Sequence, residues 1–142
     1  MRTHRKALQD RFVEAVLSGR KNTTIRPAGR PSKLPEAGDK LTLFRWTGRP
    51  YWSPQEVVGE FRIKRIWSVT VSEEGLVLED GGTRHWAHQP CGDQETFAHR
   101  EGFLNWAEMR EWFRTTHGLP FSGIMIEWDR TRLEGSVELP IS

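Results

Sequence analysis

Apolar residues recur at helical spacing first at Leu8, Phe12, Ala15 and Val16, which predicts a helix over residues 9–18. Gly19 follows, where a helix ends on a left-handed residue. Residues 27–33, rich in Pro, Gly and Arg, read as a loop close to any ligand. After the turn pair Gly38-Asp39 the period changes to two, and residues 40–46 read as a strand. The clearest strand is 57–67, where Val57, Phe61 and Ile63 alternate with Glu60, Arg62 and Lys64. A hairpin is expected over 70–78 around Glu73-Glu74-Gly75, and the turn-rich stretch 79–93 reads as a loop. Two helices follow. One covers 95–100; the other starts at Asn105 as N-cap, with Glu108 three residues on and Trp106, Met109 and Phe113 on one face, and ends at Gly118 and Pro120. The apolar segment 123–128 reads as a central strand, and the chain from Arg130 as a peripheral tail. There is no internal repeat. The sum is a mixed α+β domain: a small curved or barrel-like sheet with helices on its flanks.

Composition narrows the class. A chain of 142 residues predicts one domain, 1–142, with a core at about 8–128, and its seven Trp and seven Phe are enough to pack it. Charged residues make up 28% and the mean hydropathy is −0.65, so the chain is neither membrane-spanning nor compositionally disordered. The basic start, Met1 to Lys6, has no apolar segment behind it and does not read as a secretory signal. A single cysteine, Cys91, excludes an internal disulfide framework and points to a reducing, cytoplasmic setting. Residues 1–33 carry nine Lys/Arg against two acids, a local +7, within a chain whose net charge is only +2. That asymmetry suits a polyanion such as nucleic acid; a solvated basic face is the plainer reading.

The basic third contains Gly19-Arg20-Lys21-Asn22-Thr23-Thr24-Ile25-Arg26. A lysine and a threonine three residues apart, in a turn leaving a helix, can face one cleft. The amine then serves as general base to the hydroxyl, provided it is neutral. The same residues can instead hold a phosphate. Arg26 is a candidate fork for a phosphate or a base edge, or else the ion-pair partner of an acid such as Asp39.

Gly19-x-Lys21-x-x-Thr24-x-Arg26, the Gly38-Asp39 turn, Glu101-Gly102-Phe103 before a helix, and Phe121-x-Gly123-x-x-Ile126-x-Trp128 together resemble the ASCH domain family. The resemblance implies a PUA-like fold, a small β-barrel with flanking helices, and a cleft for RNA or modified nucleobases. Some bacterial members are metal-free amidohydrolases that remove acyl groups from N4-acylated cytidines. Their catalytic lysine, threonine and glutamate are matched by Lys21, Thr24 and Glu101. The glutamate would hold the lysine or pass a proton to the leaving amine. Other members are linked to ribonuclease activity or to RNA binding without turnover. The chain is longer than the small amidohydrolases, with the added 79–93 segment and a tail beyond Trp128.

The expected catalytic set is therefore Lys21, Thr24 and Glu101, on a nucleoside or RNA, with no cofactor and no membrane. Arg20, Arg26, Trp52 and Trp86 are the candidates for holding substrate or nucleic acid, the two tryptophans because they fall in loops where a ring can stack on a base. Trp46, Trp67 and Trp128 fall in strands, and Trp106 and Trp112 on a helix, where core packing is the plainer role. His85, His88, Cys91 and His99 suit zinc by type, but their spacing matches no strong zinc pattern. The leading expectation is an N4-acylcytidine amidohydrolase-like hydrolase; a non-catalytic RNA-binding module and a ribonuclease are the alternatives.

Overall fold

A computed structural model describes residues 1–80, 83–86 and 93–132. Seven strands form one sheet: β1 (Thr3–Ala7), β2 (Thr23–Arg26), β3 (Lys40–Trp46), β4 (Gln55–Val71), β5 (Leu76–Asp80), β6 (Thr83–Trp86) and β7 (Phe121–Arg132). Among the described residues the helices are α1 (Asp10–Leu17), α2 (Gln94–Arg100) and α3 (Trp106–Thr116), with a 3-10 turn at Pro31–Lys33.

The 17-residue strand β4 organises the sheet. One of its edges pairs with β3 and then with β5, and the other pairs antiparallel with β7. β1 lies parallel to the outer edge of β3, β2 antiparallel to the outer edge of β7, and β6 beyond β5. Irregular register at Leu43/Phe44 and between Phe61 and Arg65 bends the strands. The core is packed from Leu41, Leu43, Val58, Phe61, Trp67 and Trp128, with Phe12 and Val16 of α1 and Trp106, Met109 and Phe113 of α3 laid against it. An eight-residue helix such as α1 has little stability alone; burial of Phe12, Ala15 and Val16 holds it.

The mixed α+β reading holds, but the expected barrel does not close. Among the described residues β1 and β2 form no ladder with each other. Their ends are joined by one side chain: Arg26 Nη2 donates to the Ala7 carbonyl at 2.7 Å. The walls of a cavity, rather than backbone pairing, occupy the space between these two edges.

Four local expectations change. Residues 23–26 are strand β2 rather than part of a turn leaving α1. β1 carries no apolar alternation (Thr3, His4, Arg5 and Lys6 are its first four residues), so pattern alone missed it. The 79–93 stretch is not all loop, since β5 runs through Asp80 and β6 pairs with it. The last strand extends past Trp128 through Arg132, and Arg130 Nε donates to the Gly19 carbonyl at 2.8 Å. Residues 87–92, and the tail from 133, lie outside the described residues.

Candidate active site

Gly19, at φ +82°, ends α1. Lys21 N then bonds the Ala15 carbonyl at 2.8 Å, which tucks the chain back under the helix. Asn22 is clamped to β7 on both sides: its Nδ2 donates to the Trp128 carbonyl at 3.1 Å, and Trp128 N donates to the Asn22 carbonyl at 3.0 Å. With Asn22 held, the Lys21 side chain is directed inward, where it is only 5% exposed.

Glu101 arrives from the opposite side of the molecule, as the residue that ends α2. The next residue, Gly102, has φ +106°, and a Cβ there would stand 2.6 Å from the Phe12 ring. Glycine at 102 therefore lets the α2–α3 connection lie flat on α1 and carry Glu101 to within reach of Lys21. Lys21 Nζ donates to Glu101 Oε1 at 3.0 Å, and Thr23 Oγ1 donates to Oε2. Glu101 is 3% exposed, so this ion pair is buried. The ammonium also lies 5.3 Å from the centre of the Phe12 ring, within cation–π range.

Thr24, on β2 and 5% exposed, accepts from Arg26 Nε at 3.1 Å. Because a guanidinium can only donate, the Thr24 hydroxyl hydrogen is left to point elsewhere. Burial pushes the Arg26 guanidinium below its ordinary value, and the Glu101 carboxylate acts against that. Lys6, at the end of β1, is also pushed down, by burial and then by the charge of Arg26.

Lys21, Thr24, Arg26 and Glu101 all line one cavity of about 150 Å³. Its apolar wall is aromatic: Phe12 from α1, Phe103 from the α2–α3 connection, and Trp112 and Phe113 from α3. Phe12 and Phe103 meet edge-on at 5.5 Å, Phe103 and Trp112 at 5.9 Å. A cavity of this size holds one six-membered ring. Four polar groups converge at one end of an apolar slot, which is the composition of a small-molecule site.

Lys21 and Glu101, 80 positions apart, thus meet directly; Thr24 lines the same cavity, while the threonine hydroxyl bonded to Glu101 is that of Thr23. Arg26 joins them, and Asp39 is not its partner. Asp39 instead accepts from His4 Nε2 at 2.8 Å and from the backbone of Arg2 and Glu36. Arg20 points away, pairing with Glu14 at 3.4 Å in a separate shallow cleft with Arg11 and His99. Trp52 is 79% exposed at the tip of the β3–β4 hairpin, 5.5 Å from the Arg49 guanidinium, and does not line the cavity. Trp86 occupies a strand position opposite Val77, not a loop. His88 and Cys91 lie outside the described residues; among the described ones no cluster of His, Cys, Asp and Glu could hold a metal.

Sequence reasoning missed Thr23, Trp112 and the rest of the aromatic wall. Trp106 and Trp112 sit on the same helix and look alike in the pattern. Trp106 is core, whereas Trp112 is only partly covered and faces the cavity. No spacing rule separates them, because the difference is where α1 ends against α3.

The sequence matches no protein-family model and no curated protein. Among solved structures, the chain is similar to the crystal structure of a ZmASCH mutant protein from Zymomonas mobilis, with 20% identity and a TM-score of 0.50 over 98% of this chain and 77% of that one. The crystal structure of ASCH from Zymomonas mobilis aligns at 18% identity with a TM-score of 0.49, over 97% of this chain and 74% of that one. At this identity the likeness concerns architecture: the chain has an ASCH-domain fold.

Proposed function

We propose that this protein is a metal-free hydrolase of acylated nucleobases, acting on N4-acylcytidine through Lys21, Thr24 and Glu101. The observation that carries the reading is the convergence of these three groups, with Arg26, on one aromatic-walled cavity of single-ring size. The flat base lies against the Phe103 and Trp112 side, with its N4-acyl group at the polar end. Lys21 takes the Thr24 hydroxyl proton as the Oγ–carbonyl carbon bond forms. The Arg26 Nε–H, already directed at Thr24 Oγ1, stabilises that oxygen as it loses its proton, and on attack the negative charge passes to the acyl carbonyl oxygen beside the same guanidinium. The C–N4 bond then breaks, and the proton gained by Lys21 passes through Glu101 to the departing amine. Water hydrolyses the acyl-threonine by the reverse relay, releasing the carboxylic acid. Thr23, bonded to the second oxygen of Glu101, is a positioning residue that fixes the carboxylate plane.

The test is release of cytidine from N4-acetylcytidine by the purified protein. Turnover is expected in the wild type and is lost in Lys21→Ala, Thr24→Ala and Glu101→Ala. A wild type inactive over a panel of acylated cytidines overturns the reading.

A second reading has its own observation. The carboxylate in direct contact with Lys21 favours the ammonium, whereas a general base must be neutral. A charged Lys21 suits a site that binds a base without transforming it. That reading expects cytidine derivatives to bind unchanged, and binding to persist in Thr24→Val, since no nucleophile is needed. Loss of binding in Thr24→Val counts against it.

A further inference from the structure

A second cleft adjoins the cavity and shares part of its wall. Ala7, Leu8, Gln9 and Arg26 line both. The far side of the second cleft is formed by Trp46, Pro50 and Tyr51, at the β3–β4 hairpin tip; the cleft measures about 470 Å³, opens to solvent, and has one acid on its lining, Asp10, which is paired with Arg45 at 3.2 Å.

The hairpin tip is built rather than loose. Thr47 N bonds the Pro54 carbonyl at 3.0 Å, Gly48 N bonds Ser53 Oγ at 2.9 Å, and Ser53 Oγ donates to the Arg49 carbonyl at 2.9 Å. Within it Tyr51 adopts φ +68°, a left-handed conformation that a bulky aromatic residue rarely takes. Burial does not explain this, since Tyr51 is 86% exposed. What the conformation achieves is to set the tyrosine ring 5.1 Å from Trp46, which in turn packs on Phe44 at 5.6 Å. Costly backbone that presents an exposed ring to a cleft is an observation that asks for a ligand.

Charge specifies the ligand further. Arg26 stands on the ridge between the two cavities, with Nη2 on Ala7 and Nε on Thr24. The Arg5 guanidinium, which donates to Gln55 Oε1 at 2.6 Å, lies 5.0 Å over the Phe44 ring at the side of the second cleft. Two ring-binding sites with a guanidinium between them match two bases joined by a phosphodiester. A free nucleoside would occupy the first cavity and leave the second empty.

We propose that the Trp46–Tyr51 cleft is a subsite for the nucleotide next to the modified base, so that the substrate is single-stranded nucleic acid. The neighbouring base stacks on Tyr51 and Trp46, and the connecting phosphate lies at Arg26, which lines both clefts. This rests on the nucleobase reading of the first cavity.

The experiment compares a five-nucleotide RNA bearing one central N4-acetylcytidine with the free nucleoside, by kcat/KM and, separately, by equilibrium binding of the RNA followed through tryptophan fluorescence. Tyr51→Asn removes the ring while keeping a residue that tolerates left-handed backbone, and Tyr51→Phe keeps the ring. The wild type is expected to favour the RNA at least about tenfold. The ratio of RNA to nucleoside kcat/KM should fall toward one in Tyr51→Asn, with RNA affinity weakened roughly 5- to 150-fold, the range for one stacked base. Tyr51→Phe should retain both. Equal use of RNA and nucleoside by the wild type, or RNA binding untouched in Tyr51→Asn, overturns the subsite. RNA binding that depends on Tyr51 without any turnover supports the subsite and overturns the hydrolase reading, so the two fail separately.

Discussion

Glu101 spends both carboxylate oxygens on buried partners, Lys21 and Thr23, and the consequences of changing it follow from that. Glu101→Gln keeps the shape and one acceptor but removes the proton relay. Turnover should drop by about 10²–10⁴, the usual contribution of a general acid–base group, with the fold intact by circular dichroism. Glu101→Ala takes the carboxylate away from a buried ammonium, and a loss of about 3–5 kcal/mol in urea denaturation is expected. The double variant Lys21→Met/Glu101→Leu removes both charges and should be less destabilised than Glu101→Ala alone. If the double variant is the worse of the two, the pair contributes net stability and the desolvation argument fails. At this scale residue types and motif order were enough to nominate Lys21, Thr24, Arg26 and Glu101. They were not enough to exclude Arg20. Neighbouring residues of a turn look equivalent in sequence, yet Asn22 is clamped to Trp128, and that orients Lys21 inward while Arg20 pairs with Glu14 outside.

Among the elements, strand pairing explains two positions of the motif set. Gly123 of β7 lies where a Cβ would collide with the Arg26 carbonyl oxygen and press on the Phe121 ring. Gly123→Ala should therefore cost about 1–3 kcal/mol by overpacking and displace β2, so activity should fall even though residue 123 itself does not line the cavity. Full activity at unchanged melting temperature would show that β2 tolerates the shift. Asp39 ties β1 to the start of β3, and its hydrogen bond from His4, then the backbone bonds from Arg2 and Glu36, hold its carboxyl at about 2 instead of the ordinary 3.8. A carboxyl depressed on folding adds stability that is complete above the unfolded value and vanishes as pH falls through the folded one. Melting temperature should thus decline between pH about 4 and about 2, and Asp39→Asn should flatten the curve there. A wild-type and a variant curve of equal slope in that window would remove Asp39 from the account. Elements with a strong period were legible: β3 matches 40–46, and the Asn105 cap accepts from Glu108 N at 2.8 Å as the box pattern suggested. Glu108 does not complete the box but pairs with Arg11 of α1, a tertiary choice. β1 and β2 were not legible, because edge strands that flank a polar cavity carry Arg, Lys and Thr where a buried strand would carry Val and Ile.

For the whole molecule, the sequence asymmetry of +7 in residues 1–33 does not survive as a uniform basic face. Arg2 pairs with Asp39, Arg11 with Glu108 and Lys21 with Glu101, so three acids from later in the chain offset part of it, while Arg20 pairs with Glu14 of the same segment. Of the other five cations, Arg5 and Lys6 lie on β1, Arg26 on β2 where it lines both clefts, and Arg30 and Lys33 in the segment after β2. RNA affinity should accordingly depend only moderately on salt, with a log–log slope of roughly −1.4 to −2.1 for two or three phosphates on a single strand. A slope steeper than about −4 would mean a broad basic surface and would displace the cleft as the main contact. The order of residues along the chain by itself determined the α+β class, the middle of the central strand, the ends of α1 and α3, and which polar residues are candidates for a site. These follow from period, caps and residue type, all local properties. Only the tertiary structure decided that the sheet stays open between β1 and β2, that Trp112 rather than Trp52 walls the cavity, and that three cations of the basic third pair with acids from later in the chain. Each of those depends on which surfaces meet across tens of residues, and a linear pattern carries no information about distance in space.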